Sequence, residues 1–257
     1  MLCYDKVVRA GAIDDVLRDE VELNKIREDI VKGCIYIFNS GIDKLLLERI
    51  RKYLISLGKN SLPVYYSIHE GCPNFHRVNH WDPRSHVRGC FHQFSFFPWN
   101  DDIFKFFELF KNVFYLKNRL SGLPETSFLS SVPEDGCVAR LSFQYYPVGG
   151  GALNKHKDPV DYHQLTVPTM LLCQKGVDFH KGGAYVMNHL DEKIYIDELS
   201  DWGEVTYFNA QMVHGVDKID PDAEHCWEEF KGRWIALFAV NKLASSNRIS
   251  NSIDLGS

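Results

Sequence analysis

Hydrophobic and polar positions change rhythm midway along the chain. In the stretch "AIDDVLRDEVELNKIREDIVKG", apolar residues recur at helical spacing and the remaining faces mix acids with bases. "CIYIF" then reads as a short strand. "IDKLLLERIRKYLISLG" reads as a second helix, with Gly58 as its expected C-terminal stop. "NDDIFKFFELFKNVFYLKNRL" reads as a third, capped by Asn100 or Asp101, and its aromatic stripe is assigned to packing.

From Gly136 onward, short apolar runs are broken by Gly, Pro, Asn and Asp, which predicts strands joined by turns. The runs are "CVARLSFQYYP", "TVPTMLLCQ", "GGAYVMN", "KIYIDEL", "GEVTYFNA", "MVHGVDKI" and "RWIALFAVN". No helix-length segment interrupts them, so the expected fold is mainly β: a jelly roll of about eight strands flanked by N-terminal helices. One domain over 1–257 is expected, with a helix-rich part at 1–135, a core at 136–243 and a flexible Ser- and Asn-rich tail at 244–257.

Composition narrows this picture only slightly. A chain of 257 residues buries a core without disulfides or a structural metal. The net charge of -5 argues against a nucleic-acid or membrane-surface binder. The cysteines, Cys3, Cys34, Cys72, Cys90, Cys137, Cys173 and Cys226, are odd in number, scattered and without a C-x-x-C pair. They read as reduced thiols, and with no apolar leader or membrane-length run the expected location is cytoplasmic.

The candidate chemistry lies in "NKHKDPVDYH". After a strand and the Gly-rich turn "PVGGGALN", His156 and Asp158 stand two apart, and in an extended segment they point to one side. His214, in the strand pattern "MVHGV", supplies a second imidazole and is preferred over His180 and His189, which lie in turn-rich segments. Two histidines and a carboxylate on one face leave three positions of an octahedral metal open. A lone H-x-D is common by chance, and a lone strand histidine is usually a satisfied core residue. The order of the three, followed by Arg233 in "GRWIALFAV", is what points to a site. An arginine in an apolar strand needs a partner: either a buried carboxylate of the protein or the carboxylate of a bound acid.

On these residues the second half resembles the Fe(II)/2-oxoglutarate-dependent dioxygenase superfamily, whose core is a double-stranded β-helix. The pattern of H-x-D, distal His and late Arg is matched by His156, Asp158, His214 and Arg233. "YYPVGG", "GGAYV" and "GEVTYFNAQMVHGV" are similar to the family's segments around them. The resemblance implies Fe(II) on the three ligands, 2-oxoglutarate as cosubstrate held by Arg233, dioxygen as oxidant, and hydroxylation of an aliphatic carbon. Gln144 and Tyr146 share one strand face with Arg140 and Ser142, and the resemblance makes them further cosubstrate contacts; an outward polar face is the plainer alternative. Asp158 leaves no vacancy for the chloride of the related halogenases.

The segment "YYSIHEGCPNFHRVNHWDPRSHVRGCFHQFSFF" holds five of the eleven histidines and three arginines. It is expected to form a lid or a pocket wall at about residues 65–98, or else to bridge helices and barrel. His80, Arg88, His92 and Arg140 are the candidate contacts to a polar small-molecule substrate carrying a carboxylate or phosphate. Peptide hydroxylation, or metal binding in a cupin-like protein without oxidation, are the alternatives. Substrate identity and oligomeric state are not legible.

Overall fold

The computed structural model describes residues 6–256. The chain enters through β1 (Val7–Ala12), α1 (Ile13–Leu17), α2 (Glu20–Val31), β2 (Ile35–Asn39) and α3 (Lys44–Asn60). A hairpin of β3 (Phe75–His80) and β4 (Gly89–Phe96) follows, then α4 (Phe106–Leu109) and α5 (Lys111–Leu120). The remainder is β5 (Cys137–Pro147), β6 (Ala152–Lys157), β7 (Thr169–Leu171), β8 (Gly183–Met187), β9 (Lys193–Tyr195), β10 (Glu204–Tyr207), β11 (His214–Asp217), β12 (Gly232–Lys242) and β13 (Ile253–Asp254).

The eight strands β5 to β12 divide between two layers, the chain changing layer at each step except from β8 to β9. β5, β12, β7 and β10 lie side by side in one, and β6, β11, β8 and β9 in the other, with β4 joining them. This curled, mainly antiparallel sheet is a double-stranded β-helix. β2 and β1 extend the first layer beyond β10, β3 pairs with β4, and β13 pairs with β6.

Alternation along β5 and β12 explains both faces of the first layer. One face of β12 carries Trp234 and Phe238, and Phe238 takes the rings of Phe110 and Phe114 at 5.5 and 5.2 Å. Such edge-on pairs add about 0.5–1.5 kcal/mol beyond the area they bury. The hydroxyl of Tyr207 on β10 donates to the carbonyl of Val113, fixing α5 on this face. The other face of the two strands, with Arg140, Gln144, Leu237 and Ala239, lines a cavity inside the roll.

Several expectations are corrected. The stretch 100–120 is not one helix. Asp102 takes the amides of Phe104 and Phe106, Lys105 turns into the left-handed region, and the helical part is split into α4 and α5. Gly58 does not stop α3, which runs on to Asn60. Its missing side chain instead makes room for Phe230, whose ring would lie 2.5 Å from a Cβ there. Residues 65–98 are not a separate lid: β3 and β4 belong to the sheet, and every residue of β4 is buried. The tail is docked. Ile253 and Asp254 pair with Lys157 and His156, and Asp254 accepts from the Asn154 amide and the Arg88 backbone.

Among the described residues no helix is long and apolar enough to cross a membrane. Cys72, Cys90, Cys137, Cys173 and Cys226 are free thiols, while Cys3 lies outside the described residues.

Candidate metal centre

The glycine-rich turn carries the chain from β5 in one layer to β6 in the other. At Gly149, with φ of +79°, a Cβ would meet the His225 backbone at 2.6 Å, so the turn needs a residue without a side chain. The return strand β6 is paired on one edge with β11, and in that register His156 stands directly opposite His214. Their ring centroids are 4.1 Å apart. Asp158 lies just beyond β6, its amide donating to Ala210 and its carbonyl accepting from the Gln211 side chain.

The two imidazoles are oriented alike. His156 Nδ1 lies 2.9 Å from the Asn154 carbonyl and His214 Nδ1 lies 2.8 Å from the Met212 carbonyl. A ring nitrogen facing a carbonyl oxygen must carry the proton, so Nε2 is the atom of each ring that is turned towards a metal and that a neutral ring offers as lone-pair donor. Those Nε2 atoms approach Asp158 at 3.8 and 3.4 Å. One ligand atom from each of the three residues falls within 4.8 Å of the others. Among the described residues this is the only group of three such side chains with that spacing.

Electrostatics prepares the group for a cation. Burial lowers the His156 imidazole to about 4, with neighbouring His214 acting in the same direction, so the ring is neutral at pH 7. Burial alone would raise the Asp158 carboxyl, but its contacts with His214 and His156 and the bond from the Ser252 hydroxyl outweigh it and hold it below the usual carboxylate range. Ser252 donates to Asp158 Oδ1 at 2.5 Å. Two imidazoles and one carboxylate on one side of a cavity suit a divalent metal that keeps open positions.

The other candidate residues are distributed unevenly. Arg233 is 2% exposed, and its fork does not stand free for a bound acid: Nε and Nη2 go to Asp197 at 2.6 and 2.9 Å. Only Nη1 is buried without a partner. The protein carboxylate is thus the main partner of this arginine. Tyr146 lies beneath the guanidinium, 5.4 Å from ring centre to Cζ, and donates to Gln144 at 2.6 Å. Gln144 reaches the cavity.

Of the four candidate substrate contacts only Arg140 lines the cavity. His80 is exposed and packs its ring against Trp227. Arg88 is exposed and lies 3.9 Å from Asp254. His92 is buried behind the wall, its Nδ1 bonded to His76 Nε2 at 2.8 Å and its ring against Tyr145 and Phe230. Through Ser61, next to α3, His76 ties this pair to the helices, which is the bridging alternative.

The cavity beside the three ligands holds about 440 Å³. Tyr65, Arg77 and Gln93 form part of its wall, and residues from Ala244 to Ser252 close another side. Sequence reasoning missed Arg77, Gln93 and Ser252. The alternation of Arg77, between buried Phe75 and Asn79 on a strand, was the available signal for the first.

No family profile and no curated protein matches the sequence. Solved structures do share the architecture. A Shewanella oneidensis protein assigned as an oxygenase superposes with a TM-score of 0.55 at 11% identity, over 95% of this chain and 93% of that one. A full-length Neurospora crassa protein, solved in complex with alpha-KG and thymine, gives 0.54 at 13% identity over 96% and 93%. SnoN, a non-heme alpha ketoglutarate dependent epimerase from nogalamycin biosynthesis, gives 0.52 at 9% identity over 93% and 97%. The chain has the double-stranded β-helix fold of the Fe(II)/2-oxoglutarate-dependent oxygenases.

Proposed function

We propose that this chain is an Fe(II)- and 2-oxoglutarate-dependent oxygenase that uses dioxygen to hydroxylate an aliphatic carbon of a polar small molecule. One observation carries the reading: His156 Nε2, His214 Nε2 and the Asp158 carboxylate converge within 4.8 Å at the wall of a cavity of about 440 Å³. That volume lies in the range of small-molecule sites.

His156, Asp158 and His214 would hold the iron. Bound iron and 2-oxoglutarate would supply oxidation of an unactivated C–H bond, with dioxygen consumed and the keto acid decarboxylated to succinate. The chain's own residues have three tasks. The Asn154 and Met212 carbonyls keep both imidazoles in the tautomer that presents Nε2. Ser252 fixes the rotation of the Asp158 carboxylate. Gln144, to which Tyr146 donates, lines the cavity, and Arg233 Nη1, buried and unpartnered, would be the donor for the far end of the keto acid; Val167, Leu237 and Ala239 keep part of the cavity wall apolar. Asp158 fills the position that a halide would need, which favours hydroxylation.

The test is anaerobic. The metal-free protein is mixed with Fe(II) and 2-oxoglutarate and its visible spectrum recorded. A weak charge-transfer band that disappears in His156→Ala, followed by succinate release in air, supports the reading. Tight iron binding without any band overturns it and leaves a metal-binding β-helix without this oxidation.

A further inference from the structure

The cavity wall carries more positive charge than the protein neutralises. Arg140 on β5 projects from the cavity-lining face, and its Nε is buried without a hydrogen-bond partner. Arg77 on β3 faces the same cavity, and its Nε is likewise buried and unpartnered. The neighbours of Arg77 are neutral: Nη2 donates to Gln93 at 2.9 Å and the guanidinium lies 5.0 Å from the Tyr65 ring centre. Asp82, the acid whose charge acts on Arg77, is itself clasped by Arg84 at 2.6 Å, and the charge of Arg84 acts on Arg77 in the opposite direction.

Two uncompensated guanidinium groups in one cavity are costly unless a ligand supplies the countercharge. Burial depresses Arg140 to about 10, the charge of Arg77 acts in the same direction, and Asp158 opposes them without offsetting them; an anion would relieve the repulsion between the two arginines. Among the residues that line the cavity only Asp158 carries a negative charge, and a metal would claim it. Arg233 is already balanced by Asp197. A divalent metal and Asp158 leave one positive charge, and dianionic 2-oxoglutarate turns the sum to one negative. Arg77, Arg140 and Lys242, whose ammonium donates to the neutral Ile249 carbonyl on the same wall, then still lack two negative charges from another source.

We propose that Arg77 and Arg140 bind an oxyanion of the substrate itself, a carboxylate or a phosphate, and so hold the molecule in the cavity that the metal ligands also line. The inference rests on the oxygenase reading for the word substrate, but the anion site stands on the two arginines alone. Planar guanidinium forks recognise both groups by paired N–H donors.

Inorganic phosphate is the probe, titrated into metal-free protein while thermal unfolding is followed. Wild type is expected to be stabilised, and the apparent affinity to fall about tenfold in Arg140→Gln and in Arg77→Gln, as for loss of a charge-assisted pair. Arg140→Lys, which keeps the charge, retains part of the effect and controls for folding. In a second arm, 2-oxoglutarate is titrated against the Fe(II)-loaded variants, and its affinity should stay within about twofold of wild type. No stabilisation by phosphate, equal stabilisation of the glutamine variants, or a matching loss of 2-oxoglutarate affinity overturns the proposal; in the last case the pair serves the cosubstrate. Absence of the iron band with the phosphate response intact counts against the oxygenase reading alone.

Discussion

Arg233 and Asp197 form a buried two-pronged ion pair, with side chains 3% and 1% exposed. Asp197 also accepts the amide of Ala184 at 2.7 Å, so one carboxylate ties the turn after β9 to the start of both β8 and β12. Removing it leaves a buried guanidinium and an unpaired N–H. Asp197→Ala is therefore expected to cost about 3–5 kcal/mol in urea unfolding. Arg233→Met with Asp197→Leu should recover most of that loss but not all, because the Ala184 amide stays unpaired. A cost of Asp197→Ala below about 1 kcal/mol, the scale of a surface pair, would show that the pair is not structural.

The legibility of the site follows from what each feature depends on. His156, Asp158 and His214 could be read because strand alternation fixes their side and a strand pattern carries them. Their meeting needed only that β6 and β11 be neighbours. Arg233 was correctly placed on the last core strand, and its need for a partner was visible. That the partner is Asp197 was not, because Asp197 lies in a turn of 3-10 type after β9, where sequence predicted continued strand. His92 and Arg88 share a segment with Arg77, and composition cannot tell the cavity face from the opposite one. Register decides it: Arg77 pairs with Gln93, and both face inward. The tail was read as loose from its serines and asparagines. It is docked because Ser250, Ser252 and Asp254 find partners on Asp161, Asp158 and Asn154.

Ser252 gives the second prediction. Its hydroxyl donates a hydrogen bond to Asp158 Oδ1. Ser252→Ala should weaken divalent metal binding by about tenfold, the lower end of the effect of losing an outer partner of a ligand. Mn(II) titration by electron paramagnetic resonance reads this directly. Thermal stability should change little, since β13 remains paired to β6 through its backbone. An unchanged Mn(II) affinity would remove Ser252 from the site.

Acid sensitivity is the third. Burial lowers His76 to about 4 and His163 to about 4; His92 falls to about 3, mainly by burial and further through His76. Their unfolded value is near 6.5. Between pH 6.5 and 4 the unfolded chain binds protons that the folded chain does not, so stability is lost as pH falls through that window. Each histidine contributes a slope of up to about 1.4 kcal/mol per pH unit there. Urea midpoints at pH 7 and pH 5 should differ clearly, and His163→Gln should reduce the difference. A flat profile from pH 7 to 5 would mean that these rings have access to water or a proton partner.

Lys117 on α5 acts in the same direction in a higher window. Its ammonium nitrogen is buried without a hydrogen-bond partner, and burial lowers the group to about 7. In the unfolded chain it titrates near 10.4. From pH 7 upward the unfolded chain holds a proton that the folded chain has released, so the folded state loses stability relative to the unfolded one as pH falls from 10.4 towards 7, and the lysine's penalty is greatest below pH 7. Lys117→Met keeps the volume and removes the ionisable group. The variant should be more stable than wild type by about 2–4 kcal/mol at pH 7, and the gap should narrow by about 1.4 kcal/mol for each pH unit up to 9. Comparing the two proteins cancels every other group that titrates in that range. A gap that does not narrow would assign the difference to packing rather than charge. A wild type more stable than the variant would show that the nitrogen, close enough to His163 to lower that ring's affinity for protons, has a partner worth keeping.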